Sequence, residues 1–374
     1  MHLCCFGYGK AVQSPRHEKD ITTNNVRLFS YNILRSATRN FHPSNKLGGG
    51  GFGVVYRGIL RDGIQVAVKS LSAESEQGIR EFLTEIDMIS NVRHPNLVKL
   101  IGCCIEGSNR VLVYEYLENN SLASALLGPW SRRVDLDWSQ RVAICIGTAQ
   151  GLAFLHEDIN PHIVHRDIKA SNILLDRDFN PKIGDFGLAK LFPDNVTHVT
   201  TRVAGSMGYL APEYALLGQL TKKADIYSFG VLILEIVSGR SNSKSAWGED
   251  LMLLVEWIWK LREEGRLLDI LDPELVEFPA NEVLLFIKVA LFCIQAASNQ
   301  RPSMKRVVKM LRNEVNFNEK LLTPPGVYKV HPTVKDSAGD SPLEGSPPEV
   351  HKDDTPVTVP SISTSINIFK MQPR

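Results

Sequence analysis

The residues with the clearest capacity for chemistry lie in one stretch, IVHRDIKASNILLDRDFNPKIGDFGLAK, at residues 163–190. Its two apolar segments, ILLD and PKIGD, flank Arg177 and Asp178 and therefore predict a hairpin. Such a hairpin brings Asn172 and Asp185 to the same end of two paired strands. Amide and carboxylate oxygens are hard ligands of the kind that Mg²⁺ takes beside nucleotide phosphates. Asn172 and Asp185 are therefore predicted metal ligands, with Mn²⁺ as an alternative ion.

Asp167 lies five residues before Asn172 in the same stretch. With the metal assigned to the other two side chains, its carboxylate is free to orient a hydroxyl group and accept its proton. Lys169 follows in the same loop, close enough to meet the charge of a transferred phosphoryl group. Asp167 and Lys169 are therefore predicted catalytic residues.

A second chemical feature is the run KLGGGGFGVVYRG at residues 46–58, in which Gly48, Gly50 and Gly53 form a G-x-G-x-x-G pattern. A dinucleotide fingerprint would follow a strand and open a helix, whereas this run leads into VVYRGIL and a turn at Asp62 and Gly63. A flexible linker would not contain the bulky apolar residues that follow these glycines. The run therefore predicts a glycine-rich hairpin whose backbone can approach phosphate oxygens closely.

The next strand, IQVAVKSL, places Ala67 and Lys69 on one face because side chains alternate along a strand. A small alanine beside a lysine suits a flat base and its phosphates. The helix that follows carries Glu85 about 60° from its apolar stripe, at the buried edge. An unpaired buried charge is very costly, so Glu85 is predicted to pair with Lys69. Both residues are therefore also predicted catalytic residues. The apolar residues of this helix are Ile79, Phe82, Leu83, Ile86 and Ile89.

The composition is that of an ordinary globular protein, with 374 residues, of which 43% are hydrophobic and 22% are charged. A formal net charge of +1 provides no basic field, which argues against nucleic acid as a partner. No apolar run approaches the ~18 residues that span a bilayer, and the start, MHLCCFGYGK, is not a signal peptide. The four interior cysteines are expected to be reduced core residues. These observations predict a cytoplasmic protein, in the cytosol or at the cytoplasmic face of the plasma membrane.

The apolar periodicity divides the chain into segments. Residues 1–28 are predicted to be a flexible tail, and residues 29–46 lead into the main domain at 47–313. Strand patterns and one helix dominate residues 47–116, and helical patterns dominate residues 117–313. Residues 314–374 are expected to be disordered, because they have too little apolar surface to offset the entropy of ordering. The predicted fold class is α+β, with a small strand-rich lobe and a larger helical lobe.

Taken together, the motifs resemble those of eukaryotic protein kinases. The chain has G-x-G-x-x-G-x-V ending at Val55, V-A-V-K ending at Lys69, H-R-D-I-K-A-S-N, D-F-G, and A-P-E at residues 211–213, all in the family's order. The resemblance implies a bilobal kinase fold and transfer of the ATP γ-phosphate to protein hydroxyl groups. Lysine at position 169 resembles serine/threonine kinases, because tyrosine kinases usually carry other residues there.

Longer stretches narrow the resemblance. FSYNILRSATRNFHPSNKLGGGGFGVVYRG and THVTTRVAGSMGYLAPEYALLGQLTKKADIYSFGVLILEIVSGR resemble plant receptor-like kinases. LSAESEQGIREFLTEIDMIS and GCCIEGSNRVLVYEYLENNSL are most similar to the plant cold-responsive protein kinase group. With no ectodomain or membrane span, the chain looks like a receptor-like cytoplasmic kinase. The resemblance implies protein substrates with Ser or Thr, receptor-linked or stress signalling, and a membrane receptor kinase as a candidate partner.

The resemblance also implies a nucleotide site between the lobes. Tyr114 corresponds to the gatekeeper, and the segment from Glu115 to Leu117 corresponds to the hinge that meets adenine. Four apolar side chains would enclose the base under the glycine-rich hairpin, with the strand lysine at the phosphates. The residues implied for ATP binding are Leu47, Gly48, Gly50, Gly53, Val55, Ala67, Lys69, Tyr114, Glu115, Leu117 and Leu174.

Two further contacts follow from the same resemblance. Glu213 and Arg301 are expected to form an ion pair that ties the activation segment to the helical lobe. Asp225 is expected to be buried and to accept backbone N–H bonds from the catalytic loop. The chain departs from the family at Gly49, where a polar residue is usual, and at Ser206, where Thr is usual. Neither departure removes a catalytic group.

Two alternatives to an active kinase were weighed against this interpretation. A pseudokinase scaffold would normally lack a catalytic group, whereas Lys69, Asp167, Asn172 and Asp185 are all present. A fragment cut from a longer receptor is disfavoured by Met1 and by the compact N-terminal tail.

The segment between Asp185 and Ala211 is a candidate for regulation by phosphorylation. Arg166 directly precedes Asp167, an arrangement that usually answers a phosphorylated segment with a charge-assisted hydrogen bond. Phosphorylation is expected to centre on Thr200 and Thr201, with Ser206 acting mainly in substrate positioning. The candidate sites are Thr197, Thr200, Thr201 and Ser206.

Cys4 and Cys5 are predicted sites of reversible S-acylation that would attach the protein peripherally to a membrane. Position 2 is His2, so the Gly required for N-myristoylation is absent. Two acyl chains give stable anchoring where one is marginal, so the double variant Cys4→Ser, Cys5→Ser should move from the membrane fraction to the soluble fraction of cells. An identical distribution of the variant and the wild type would show that these cysteines do not anchor the protein.

Overall fold

The structure is a computed structural model that describes residues 26–50, 53–71, 76–129, 131, 133–193, 196–242, 246–247, 250–251 and 253–327. Cys4 and Cys5 lie outside the described residues. Among the residues that are described, no helix is long and apolar enough to cross a membrane. The described cysteines, Cys103, Cys104, Cys145 and Cys293, are buried free thiols, in agreement with the sequence prediction.

The N-terminal lobe is built on a six-stranded sheet in the order β1-β5-β6-β4-β3-β2. All neighbouring pairs are antiparallel except β1 and β5. The helix α1 packs on β3 and β5, and the helix α2 packs on β4 and β6. The bounds are β1 Arg27–Leu28, α1 Tyr31–Ala37, β2 Lys46–Gly50, β3 Gly53–Ile59, β4 Gln65–Leu71, α2 Glu76–Ile89, β5 Leu100–Glu106 and β6 Asn109–Glu115.

The glycine-rich run forms the hairpin of β2 and β3, as the sequence predicts. Gly48 pairs with Val55, and Gly50 pairs with Gly53. Gly53 has a φ of +131°, and a Cβ at this position would lie 2.3 Å from the carbonyl oxygen of Ser70. Only glycine meets both conditions, so this residue is required by the fold of the hairpin itself.

The folded region begins earlier than the predicted boundary after residue 28. Arg27 and Leu28 pair in parallel with Gly102 and Cys103 of β5, and Phe29 is buried. The missing side chain at Gly102 explains this, because a Cβ there would lie 2.4 Å from the Phe29 ring. A small second core therefore covers the outer face of the sheet, formed by Phe29, Leu34, Leu60, Val66, Val68, Cys104, Val111 and Val113.

The helix α2 buries a narrower face than the apolar pattern predicts. Phe82, Ile86 and Ile89 are buried, whereas Ile79 and Leu83 are each 37% exposed. At 100° per residue, these two residues lie at the edge of a face that centres between Phe82 and Ile89. Polar Glu85 occupies that buried face instead, because it points towards the site described below.

The C-terminal lobe is helical, and its central helix α6 is buried along nearly its whole length. The helices α4, α7 and α8 pack around α6, and α9 packs against α4. The helices are α3 Leu122–Leu126, α4 Trp138–Ala153, α5 Pro212–Leu217, α6 Lys222–Ser238, α7 Leu254–Glu263, α8 Ala280–Cys293 and α9 Met304–Leu311. Short strands are β7 His162–Val164, β8 Ile173–Leu175, β9 Pro181–Ile183, β10 Lys190–Phe192, β11 Val199–Thr200, β12 Gln219–Leu220, β13 Ala246–Trp247 and β14 Asp250–Leu251.

The folded region also extends beyond residue 313, where the sequence places the start of a disordered tail. Phe317 packs edge-to-face on Phe292 with ring centroids 5.2 Å apart. The hydroxyl of Tyr227 donates a 2.7 Å hydrogen bond to the carbonyl oxygen of Gly326. Residues 314–327 therefore contact the helical lobe through a few apolar and hydrogen-bond anchors, and residues 328–374 lie outside the described part.

Candidate active site

A cavity of about 190 Å³ lies between the sheet and the helical lobe. Val55 and Ala67 form its upper wall, and Leu174 forms part of its floor. Eight of the thirteen predicted nucleotide and metal residues line this cavity. Leu117 is buried beyond the hinge strand, and Leu47, Gly48, Gly50 and Gly53 of the glycine-rich hairpin do not line the cavity. Asp167 lies in the neighbouring loop. The lining residues are Val55, Ala67, Lys69, Glu85, Val98, Tyr114, Glu115, Ser171, Asn172, Leu174, Gly184 and Asp185.

The alternation along β4 directs Lys69 into this cavity. Val66 and Val68 point to the outer core, and Ala67 and Lys69 line the cavity on the other face, as the sequence predicts. Strand β4 pairs with β3 on one side and with β6 on the other, and these hydrogen bonds fix its register. A slip of one residue would exchange the two faces, so the buried valines keep the lysine aimed at the cavity.

Lys69 is held by two carboxylates. Its Nζ lies 2.9 Å from Glu85 Oε2 and 2.7 Å from Asp185 Oδ1. Burial alone would lower the pKa of Lys69, but the charges of Glu85 and Asp185 outweigh it and raise the pKa above its usual value. Burial likewise opposes ionisation of Asp185, yet Lys69 keeps the pKa of this carboxyl below its usual value. The pairing of Lys69 with Glu85 inferred from the sequence is therefore present, and Asp185 joins it.

Tyr114 lies at the cavity wall beside these charges. Its hydroxyl and Glu85 Oε1 are both buried without a hydrogen-bond partner among the described residues. Burial, and then the negative charges of Glu85 and Asp185, raise the pKa of Tyr114 well above its usual value. The side chain therefore presents a neutral hydroxyl beside the ion pair.

The predicted hairpin brings Asn172 and Asp185 together. Strands β8 and β9 pair from Ile173 with Ile183 onwards, and the Gly184 N–H donates to the Asn172 carbonyl at 2.9 Å. Asn172 Nδ2 donates to Asp167 at 2.8 Å and 3.0 Å. The amide oxygen of Asn172 is then the atom that remains for a cation.

Asp167 lies at the centre of a compact polar group. Its Oδ2 lies 2.7 Å from Lys169 Nζ, and its Oδ1 accepts a 2.8 Å hydrogen bond from the Ser206 hydroxyl. Lys169 also donates to Ser206 Oγ at 2.7 Å. Asp167 is only 4% exposed, so these partners fix its carboxylate in one orientation.

The loop that carries Asp167 is anchored from below by α6. The backbone N–H groups of His165 and Arg166 donate to the Asp225 carboxylate at 2.7 Å and 2.8 Å. His156 Nε2 lies 2.9 Å from the same group. Burial alone would raise the pKa of Asp225, but the bonds from His156 and the loop backbone bring it below its usual value. The backbone contacts are those that the resemblance to protein kinases implies for Asp225.

The activation segment is tied to the helical lobe at its end. Arg301 forms a bidentate pair with Glu213 at 2.7 Å and 2.8 Å, as the resemblance to protein kinases implies. Thr197 and Thr200 are exposed, and Thr201 is half-buried. Ser206 differs from them, because its hydroxyl already binds Asp167.

Sequence reasoning missed a second buried carboxylate under this segment. Both carboxylate oxygens of Glu235 accept from the Tyr209 hydroxyl at 2.7 Å, and burial raises the pKa of Glu235 to about 7. A single Glu within the apolar run VLILEIVSG was the available signal. Glu81, buried one turn before Glu85 on α2, was also missed; its spacing from Glu85 could have revealed it.

The oxygen donors in this site fit a divalent cation that is bound mainly by phosphate. Among the described residues, no group of three or more His, Cys, Asp or Glu could hold a metal ion. Asn172 and Asp185 supply one amide and one carboxylate in the cavity wall. Mg²⁺ is commonly held by one or two protein carboxylates together with substrate phosphates and water, so this small donor set is adequate.

Comparisons with known proteins agree with this geometry. Residues 41–311 match the family of protein tyrosine and serine/threonine kinases. Cold-responsive protein kinase 1 of Arabidopsis thaliana is 55% identical over 307 residues, covering 81% of this chain and 79% of that protein. A probable leucine-rich repeat receptor-like serine/threonine-protein kinase of the same plant is 53% identical over 309 residues, covering 82% of this chain and 30% of the receptor.

The chain therefore belongs to the protein kinase family. The predicted α+β bilobal fold is confirmed, as is the resemblance to plant receptor-like kinases and to the cold-responsive group. The matched region covers less than a third of the length of the receptor relative, so the similarity concerns only that part of the receptor.

The buried Glu235 predicts a specific pH dependence of stability. Its pKa of about 7 lies above the ordinary value of 4.5, so the folded protein binds an extra proton between these values and loses stability as pH rises. A shift of this size corresponds to roughly 3 kcal/mol. Glu235→Gln should therefore flatten the fall in melting temperature between pH 5 and pH 8, whereas exposed Glu76→Gln should not. Parallel curves for Glu235→Gln and the wild type would contradict the raised pKa.

Proposed function

We propose that the chain is an active serine/threonine protein kinase that transfers the γ-phosphate of ATP to Ser and Thr hydroxyl groups of proteins. The observation that carries the proposal is the arrangement around Asp167, which binds Lys169, Asn172 and Ser206 within 3.0 Å. The second group of charges, on Lys69, Glu85 and Asp185, lies in the adjoining cavity. Both halves of a phosphoryl-transfer site are thus assembled, which a binding scaffold does not need.

In this proposal Asp167 orients the substrate hydroxyl and accepts its proton as the oxygen attacks in line. The Ser206 hydroxyl donates a hydrogen bond to Asp167 Oδ1. We therefore expect the substrate hydroxyl to approach Asp167 from the side of Ser206. Lys169 lies against Asp167 Oδ2 and offsets negative charge that develops during transfer. These groups need no movement of the loop, since Asp225 already fixes its backbone.

The nucleotide would occupy the cavity under the glycine-rich hairpin. Ala67, Val55 and Leu174 offer apolar surfaces for the base, and Glu115, at the end of β6, lines the cavity where the hinge would meet the edge of the base. Lys69 is placed to hold phosphate oxygens, with Glu85 keeping its ammonium in position. A divalent cation held by Asn172 and Asp185 would neutralise charge on the phosphates, and we propose Mg²⁺, with Mn²⁺ as the alternative.

We also propose a setting for this activity. One relative is named for responsiveness to cold and others are named as receptor-like kinases, which supports a role in receptor-linked or stress signalling in plants. A membrane receptor kinase is the proposed partner and the cytoplasm the proposed location. Peripheral attachment through acylated Cys4 and Cys5 stays a prediction.

Replacing Asp167 tests the catalytic proposal. Asp167→Asn should still bind ATP but should lower transfer to a generic Ser/Thr substrate by roughly 10²- to 10⁴-fold, the usual range for loss of a general base. The matched control is Asp178→Asn, on the exposed turn of the same hairpin, which should retain full activity. The assay uses purified full-length protein and γ-labelled ATP, and equal turnover by the wild type and Asp167→Asn would refute the kinase mechanism.

Arg166 supports the proposed phosphorylation of Thr200 and Thr201. Its guanidinium donates to the neutral oxygens of Tyr214, Leu188 and Arg202. None of these partners is a carboxylate, so a phosphate would add a charge-assisted bond. Mass spectrometry after incubation with ATP should find phosphate on Thr200 or Thr201, and the Asp167→Asn variant should lack it. Active protein without phosphate anywhere from Thr197 to Ser206 would contradict this prediction.

A further inference from the structure

The turn from Ser206 to Tyr209 connects the catalytic group to the floor of the helical lobe. At one end, the Ser206 hydroxyl binds Asp167 Oδ1 at 2.8 Å. At the other end, the Tyr209 carbonyl accepts from Ser228 Oγ at 2.7 Å, and the Tyr209 hydroxyl binds Glu235. The Tyr209 N–H closes the turn on the Ser206 carbonyl at 3.2 Å. The position of the Ser206 hydroxyl therefore depends on what holds the middle of the turn.

Asn242 holds the middle of the turn. Its Nδ2 donates a 2.7 Å hydrogen bond to the carbonyl oxygen of Gly208. Its backbone N–H donates to Glu235 Oε1 at 2.8 Å, and its Oδ1 accepts from the Leu254 N–H at 3.0 Å. Asn242 is 1% exposed, so these bonds form away from water. The side chain of Asn242 thus joins the turn to the start of α7, and its backbone N–H adds a bond to α6.

The fit between Gly208 and Asn242 is close. Gly208 has a φ of +88°, and a Cβ there would lie 3.0 Å from Asn242 Nδ2. The backbone conformation and the contact distance both favour glycine. Because the carbonyl of Gly208 meets an amide donor at close range, an oxygen in place of Nδ2 would repel it.

We propose that Asn242 is a positioning residue for the protein substrate. Its hydrogen bond to Gly208 fixes the position of the 206–209 turn relative to the catalytic loop. Ser206 can then bind Asp167, and the substrate hydroxyl binds beside them. This role rests on the proposed kinase function and adds to it a residue outside the motifs. Asn242 does not line the nucleotide cavity, so its influence falls on the protein substrate and not on ATP.

The test separates the two substrates. Asn242→Asp keeps an oxygen for the Leu254 N–H but loses the donor to Gly208, so the KM for a Ser/Thr peptide should rise about 10-fold at pH 8. The KM for ATP and the slow hydrolysis of ATP without peptide should stay within about twofold of wild type. The matched control is Asn96→Asp, because half-buried Asn96 also donates its Nδ2 to a carbonyl, that of Pro181 at 2.9 Å.

The pH profile provides a second readout, and it is compared with wild type because Glu235, which accepts from the Asn242 N–H and has a pKa of about 7, titrates in the same range in both proteins. A protonated carboxyl can donate to the Gly208 carbonyl, so the peptide defect of Asn242→Asp, measured relative to wild type, should shrink as pH falls from 8 to 6. Gly208→Ala disturbs the same contact from the side of Gly208. It should likewise raise the KM for the peptide and leave the KM for ATP within about twofold of wild type. Melting temperatures check that each variant is folded.

The outcomes are distinguishable. If the wild type transfers phosphate and folded Asn242→Asp has an unchanged peptide KM, the positioning role is wrong and the kinase function stands. Equal losses for peptide transfer and ATP hydrolysis, or loss of the fold in both variants, would also overturn it by assigning Asn242 a structural role. A wild type that transfers no phosphate would overturn the proposed function itself.

Discussion

The catalytic loop depends on one buried carboxylate, that of Asp225 near the start of α6. A carboxylate that is fully removed from water is very costly unless its oxygens are bonded. Here two backbone N–H groups of the loop and His156 provide those bonds. The backbone at Arg166, with a φ of +70°, is an uncommon conformation for a residue with a side chain, and the same bonds hold it there. The position of Asp167 therefore depends on the hydrogen bonds between the loop backbone and Asp225.

The helix α6 also holds the turn from Ser206 to Tyr209 through buried polar side chains. Two further buried polar residues of α6, Ser228 and Glu235, bind the carbonyl and the hydroxyl of Tyr209. The apolar residues between them are fully buried against neighbouring helices, so the polar anchors cannot shift independently of the core. The catalytic loop and the turn from Ser206 to Tyr209 are therefore both attached to one rigid helix, which brings Asp167, Lys169 and Ser206 into mutual contact.

The N-terminal lobe holds a charged residue, Lys69, on an otherwise largely apolar sheet. Val66 and Val68 are covered on the outer face by α1 and by Phe29, which precedes it. This cover fixes the register of β4, and the register directs Lys69 to Glu85 and Asp185. Residues 29–37, which precede the predicted start of the main domain at residue 47, thus contribute to the placement of a residue in the cavity.

The sequence determined the fold class, the hairpin at Gly48 to Gly53 and the main polar residues of the site, because these depend on local period and on residue type. It also predicted the pairing of Lys69 with Glu85, since a buried charge requires a partner. It did not reveal Asn242, which lies outside every motif and acquires its contacts from Gly208, Glu235 and Leu254 only when distant segments meet. It likewise placed the ends of the folded region too far inwards, at residues 28 and 313. The few anchors that hold those ends, such as Phe29 on Gly102 and Gly326 on Tyr227, are single long-range contacts and leave no periodic signal. Tertiary packing decided these features, because a single buried contact can order a segment whose own composition is polar.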